Sequence, residues 1–163
     1  MCGISGLFNF TNRNIEAKEI ISKIVKAQNL RGPDDNGQWQ SDCKKVVFGH
    51  NRLSIIDLST NGKQPFISLD NNFIITFNGE IYNFKEIKKE LISKNIKFRS
   101  NSDTEVIIES YKFWGLEFLN KLRGMFSFAL WDDLSKKLIL ARDPFGIKPL
   151  YYLNNDGIFS FSS

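Results

Sequence analysis

The chain has 163 residues, 42% hydrophobic and 25% charged, with a formal net charge of +4. This is one domain's worth of chain with material for a substantial core, and disorder is excluded as the default. No apolar run approaches the roughly 20 residues of a membrane span, and no signal-peptide pattern opens the chain, so a reduced, cytoplasmic protein is expected.

In chain order, CGISGLFNF (Cys2 to Phe10) reads as a buried strand with imperfect alternation. Ile15 to Gln28 carries Ile20, Ile21 and Ile24 at helical spacing, an amphipathic helix. RGPDDNG, Arg31 to Gly37, is dense in turn formers and reads as loop. Strands are expected at Gln38–Gln40 and Lys45–His50, running on into NRLSII, with a second loop over Ser59 to Pro65. NFIITFN, Asn72 to Asn78, is a strand. Asn83 with Glu86, and Ser102 with Glu105, have the spacing of N-caps with a reciprocal carboxylate, so helices start at both places. Gly115 interrupts the second helix. From Gly124 the segments MFSFALWD, KKLILARD, PLYYL and GIFSFSS read as an antiparallel meander. Strands and helices come in blocks, which favours an α+β fold with antiparallel sheets. The sequence stops inside an apparent strand, so a continuation is expected.

The chemistry-bearing inventory is small. Two cysteines, Cys2 and Cys43, and one histidine, His50, cannot fill a four-ligand Cys/His zinc site. A Cys2–Cys43 disulfide would need an oxidising compartment. The sequence pI of about 9.0 raises nucleic-acid binding. However, Lys85, Lys88, Lys89, Lys94 and Lys97 share their segment with Glu86 and Glu90, as on an exposed helical face. No phosphate-cradling GxxxxGK[ST] loop is present.

Cys2 stands directly behind Met1. Removal of Met1 would give it an α-amine with an ordinary pKa of about 8, so one residue would carry nucleophile and base together. The alternatives are a small apolar residue opening a strand, or a thiol served by His50. Phe77 to Glu80, FNGE, has the Asn-Gly of a hairpin turn. Yet it leads into a helix, and an Asn amide with a Gly N–H also suits an oxyanion hole. Arg52 and Asp103 could hold the carboxylate and ammonium of a free amino acid. Each is equally readable as a surface arginine and a first-turn aspartate.

MCGISG, RGPDDNG, HNRLSIID, FNGEIYN, SDTE, LRGMFSFALWD and RDPFGIKPLYY occur in one order. Together they resemble the class II (N-terminal nucleophile) glutamine amidotransferase domain of glutamine-hydrolysing asparagine synthetases, over residues 1–163. The resemblance implies a four-layer αββα sandwich of two antiparallel sheets. It makes Cys2 the nucleophile on the glutamine side-chain amide, forming a glutamyl thioester, with Asn78 and Gly79 as the oxyanion hole. It gives Arg52 the substrate carboxylate, gives Asp103 with Gly79 and Glu80 the ammonium, and puts Leu53, Ile55 and Ile56 along the pocket. The partners implied are L-glutamine and a following synthetase domain, where ATP and Mg would activate aspartate. No cofactor is implied within 1–163, no nucleic acid or membrane is expected, and a homodimer is compatible. Where related amidotransferases favour R-Y-x-T-x-G, this chain has Arg52-Leu53-Ser54-Ile55. The alternatives left open are an amidotransferase with a different nitrogen acceptor and a non-catalytic glutamine-binding module.

Overall fold

The computed structural model describes residues 1–11, 13–57 and 62–163. In chain order the elements are β1 (Gly3–Asn9), α1 (Ala17–Ala27), β2 (Asp35–Gln40), β3 (Val46–Arg52), β4 (Phe66–Ile67), β5 (Phe73–Ile81) and α2 (Phe84–Ser93). There follow α3 (Asp103–Trp114), β6 (Gly124–Asp132), β7 (Lys137–Arg142), β8 (Tyr151–Asn155) and β9 (Ile158–Ser162). Short 3-10 helices occupy Asn29–Arg31 and Gly115–Lys121. One sheet has the order β2-β3-β1-β9-β8 and the other β4-β5-β6-β7, and the pairings within both are antiparallel.

Strand alternation sorts the side chains into three apolar layers. Ile4, Val46, Phe48 and Phe161 of the first sheet meet Ile74, Ala129 and Trp131 of the second in the seam between them. On the far side of the first sheet, α1 buries Ala17, Ile21 and Val25, spaced four apart, against Leu7 and Val47. On the far side of the second sheet, Phe73, Ile75, Phe77 and Ile81 of β5 join Phe126, Phe128 and Leu130 of β6. They pack on Ile87 and Leu91 of α2 and on Val106, Ile107 and Ile108 of α3. The result is a four-layer αββα sandwich, as the resemblance implies. Burying each of these large apolar side chains contributes about 1.5–3 kcal/mol, so the three layers carry most of the stability.

Several local expectations change. Asp35–Gly37, read as loop, belongs to β2, because its backbone pairs with His50–Arg52 at the end of β3. The Asn78-Gly79 pair does not turn: β5 runs through it, paired with Ser127 and Phe126 of β6. The segments after Gly124 are not one meander but two hairpins, β6–β7 in the second sheet and β8–β9 in the first. Ser102 caps α3, its hydroxyl accepting the Thr104 N–H at 3.1 Å. Glu105 does not reciprocate; it accepts instead from Ser100 N and Oγ and from Arg99 N. Asn83 makes no side-chain cap, since its amide is drawn to Lys121 O and Arg123 N. Part of the second expected loop, 59–61, lies outside the described residues, and 62–65 lead into β4.

Candidate active site

Alternation also decides what stands at one end of the seam. On β3 the inward positions after Val46 and Phe48 are His50 and Arg52; on β5, after Ile74, they are Thr76, Asn78 and Glu80. These polar side chains close the apolar seam and open a pocket where β1 begins. Cys2, Arg52, Leu53, Ile55, Ile56, Asn78, Gly79, Glu80 and Asp103 all line that one pocket.

Cys2 is half-buried. The Leu53 N–H donates to its sulfur at 3.4 Å, and its thiol donates to Leu53 O at 3.6 Å. Burial pushes the thiol up, against the Leu53 bond, the N-terminal ammonium, and the positive charges of Arg52 and Lys148. The RGPD stretch frames this arrangement: Arg31 Nε donates to Cys2 O at 3.3 Å, and Asp34 accepts the Ser54 N–H at 2.7 Å. One loop thus braces both the strand bearing the thiol and the segment that grips it.

Arg52 is buried, with its guanidinium donating to Asp57 O. Asp103, the first residue of α3, accepts the Ile81 N–H at 3.0 Å. Burial, with the nearby charge of Glu80, raises its pKa to about 6 although hydrogen bonds oppose the rise. A positive and a potentially negative group therefore share the pocket.

Asn78 is 1% exposed, and its Nδ2 has no hydrogen-bond partner among the described residues. A buried donor without a partner is costly unless something else is meant to occupy it. The N–H groups along the same edge of β5 are otherwise taken: Phe73 by Ser68 Oγ, Phe77 by Gln64 Oε1, Ile81 by Asp103. Gly79 lies on that edge between the last two, so its N–H points to the same side. A Cβ on Gly79 would run into the Met125 carbonyl and the Phe126 backbone, so only glycine lets β5 and β6 close here.

His50 does not serve the thiol. It is fully buried and faces Thr76 Oγ1 at 3.1 Å across the seam. Thr76 spends its own proton on Gly49 O, so the His50 Nδ1–H is the donor. Burial first, and Arg52 second, lower its pKa to about 3. Both cysteines are free, and no cluster of three or more His, Cys, Asp or Glu that could hold a metal ion occurs among the described residues. No helix among them is long and apolar enough to cross a membrane. Among the pocket residues that reading the sequence missed, two are held by specific bonds. Gln64 bridges Phe77 N and Thr104 Oγ1, and Lys148 arrives from the turn after β7.

A half-buried thiol sharing one pocket with an unpartnered Asn78 amide, on an αββα sandwich of two antiparallel sheets, defines the class: a domain of the N-terminal nucleophile fold. The chain belongs to the glutamine amidotransferase domain family, whose model matches residues 1–163. It is 43% identical over 162 residues to asparagine synthetase [glutamine-hydrolyzing] 1 of Bacillus subtilis, covering 98% of this chain and 25% of that one. It is 44% identical to asparagine synthetase [glutamine-hydrolyzing] 2 of the same organism, covering 98% and 21%. Amidase chry2 of Gibberella zeae is 43% identical, with 93% and 24% covered. The fold is that of the glutamine phosphoribosylpyrophosphate amidotransferase from B. subtilis, with a TM-score of 0.80 at 23% identity, covering 99% of this chain and 41% of that one. The chain thus spans about a quarter of the length of these curated relatives. It is a glutamine amidotransferase domain homologous to the glutamine-hydrolysing part of asparagine synthetases.

Proposed function

We propose that the pocket hydrolyses glutamine to glutamate and ammonia through Cys2. One observation supports this most: the thiol is held by Leu53 in the same pocket as Gly79 and the buried Asn78 Nδ2, which has no partner among the described residues. Once Met1 is removed, the α-amine of Cys2 takes the thiol proton as sulfur bonds to the amide carbon. The carbonyl electron pair moves onto oxygen, where Asn78 and Gly79 donate to it. Collapse breaks the carbon–nitrogen bond, and ammonia leaves with the proton returned by the amine. Water then adds to the glutamyl thioester and gives its proton to the amine. The carbon–sulfur bond breaks, the thiolate is reprotonated, and glutamate departs. Arg52 binds the substrate carboxylate. Asp103, with Glu80 and the backbone of Gly79, binds its ammonium, and Leu53, Ile55 and Ile56 form the wall.

The ammonia is passed on within a longer parent chain, with aspartate as acceptor. The names of the Bacillus relatives support that choice, as does Arg52-Leu53-Ser54-Ile55 in place of R-Y-x-T-x-G. ATP and Mg belong to that further domain, and no step above passes through them. The parent acts in the cytoplasm.

Glutamate release, measured on protein whose intact mass shows loss of Met1, tests the reading. Cys2→Ala should abolish release, and an electrophilic glutamine analogue should attach to Cys2. Equal turnover by both proteins sinks the proposal. Glutamine binding without turnover in the processed protein makes the domain a binding module instead.

A further inference from the structure

The Arg142–Tyr151 stretch, RDPFGIKPLY, is tightly built for a surface turn. Asp143 is 3% exposed, and its carboxylate accepts four backbone N–H groups. These come from Phe126 at 3.2 Å, Phe145 at 3.1 Å, Ile147 at 2.9 Å and Lys148 at 3.0 Å. Arg142 closes the turn from outside, donating to Lys148 O at 2.7 Å and Gly146 O at 2.6 Å. Gly146 has φ of 65°, and a Cβ there would sit 3.0 Å from the Arg142 guanidinium, so the turn requires glycine.

The anchor point is informative. Phe126 is the β6 residue paired with Gly79, so Asp143 ties the turn directly behind the Asn78–Gly79 segment. The residue delivered by all these bonds is Lys148. It is 8% exposed and lines the Cys2 pocket. A lysine this buried is usually paired. Yet among the described residues the ion pairs include none to Lys148. A cation kept at a pocket wall with no carboxylate of its own is placed to act on a charge that forms in the pocket.

We infer that the Asp143–Lys148 turn holds the Lys148 ammonium at the wall of the Cys2 pocket so that its charge favours the thiolate of Cys2 over the thiol. Lys148 is a positioning residue acting through space; no hydrogen bond joins it to the sulfur. Its direction of action agrees with the downward pull that it, Arg52 and the N-terminal ammonium exert on a thiol raised by burial. The other charged groups facing the pocket are Asp57 after β3, Glu80 of β5 and Asp103 of α3. Their negative charges oppose the thiolate, while Lys148, Arg52 and Arg31, whose guanidinium donates to Cys2 O at 3.3 Å, favour it. The inference builds on Cys2 as the nucleophile, but it can be read without any turnover.

The test is the rate of Cys2 alkylation by iodoacetamide against pH, followed on the Cys2 peptide by mass spectrometry in a Cys43→Ser background. Wild type, Lys148→Met, Lys148→Gln and Lys148→Arg are compared with the same processed N-terminus. Loss of the charge should raise the midpoint by about one pH unit and slow alkylation at pH 7 by about tenfold. Lys148→Arg should restore both. An unchanged midpoint in folded Lys148→Met or Lys148→Gln overturns the inference. Unfolding of both neutral variants also overturns it, by making Lys148 a structural residue. A shifted midpoint alongside an active Cys2→Ala protein would leave this inference standing and remove the catalytic one.

Discussion

Along β3, β5 and β6 the side chains facing the seam between the sheets change character within two to four residues. Val46 and Phe48 give way to His50 and Arg52; Ile74 gives way to Thr76 and Asn78; Trp131 and Ala129 give way to Ser127 and Met125. The same backbone pairing supports both ends, so the difference lies wholly in which side chains the pleat turns inward. The apolar end has its contacts complete. The polar end has buried atoms left over, among them Asn78 Nδ2, Ser127 Oγ and His50 Nε2. One end holds the sandwich together, and the other opens on the pocket that Asn78 lines.

The sharpest break of this contrast comes from emptying the apolar end. Trp131 is 1% exposed, and Trp131→Ala should cost about 3–5 kcal/mol of stability. Urea unfolding measures the loss, while turnover per folded molecule should stay unchanged. The mirror-image change is Asn78→Ala, which should lower kcat by about 10²–10³-fold, as for an oxyanion donor. It should also leave stability nearly unaltered, because its Nδ2 bonds nothing among the described residues. A destabilised but active Asn78→Ala protein would dissolve the distinction between the two ends.

Asp103 gives a smaller, pH-dependent effect. With its pKa near 6, a carboxylate proposed to hold the substrate ammonium is charged only above that pH, so kcat/KM should fall as pH drops through about 6. Asp103→Asn should lower kcat/KM about tenfold or more at pH 7.5 and remove that acid limb.

The smallest effect belongs to the boundary residue. His50 binds its proton near pH 3 when folded and near 6.5 when unfolded, so the unfolded chain holds more protons between those values. Its contribution to stability therefore declines as pH falls from 6.5 towards 3. Asp103 acts in the opposite sense between about 6 and 3.8, because its folded pKa is raised and ionisation costs stability above 6. His50→Gln should flatten the acid loss of stability and Asp103→Asn should steepen it, both read by urea unfolding at pH 7 and pH 5. His50→Gln should retain glutaminase activity if the α-amine is the base.

Much of the site was legible in residue types, since cleaving an amide needs a nucleophile, oxyanion donors and a charged cradle. Cys2, Arg52, Asn78 and Asp103 stood out on those grounds and share the pocket. What stayed hidden depends on distant partners. Asn78-Gly79 has turn chemistry, yet β6 captures it as strand, because Gly79 lets the Met125–Phe126 backbone approach. Asn83 has capping chemistry, yet the chain around Lys121 and Arg123 claims its amide. Lys148 had no local signature, since only the Asp143 bond to Phe126 brings its turn behind the pocket. The four layers were compatible with the blocks of strands and helices, but the crossing of β8 and β9 back to the first sheet was not foreseen. Nothing local marks which sheet a hairpin joins.

That crossing has a consequence for how the protein comes into being. β1 is flanked by β3 on one side and β9 on the other, and Ile4 N donates to Ser163 Oγ across 159 residues of sequence. On a ribosome adding about 5–20 residues per second, the strand made first waits roughly 8–30 s for its last neighbour. Through that interval the edge of β1 that β9 will cover is unpaired backbone, while Met1 stays reachable even in the finished fold, where it is 54% exposed. Topology alone thus makes β9 the last neighbour that β1 gains.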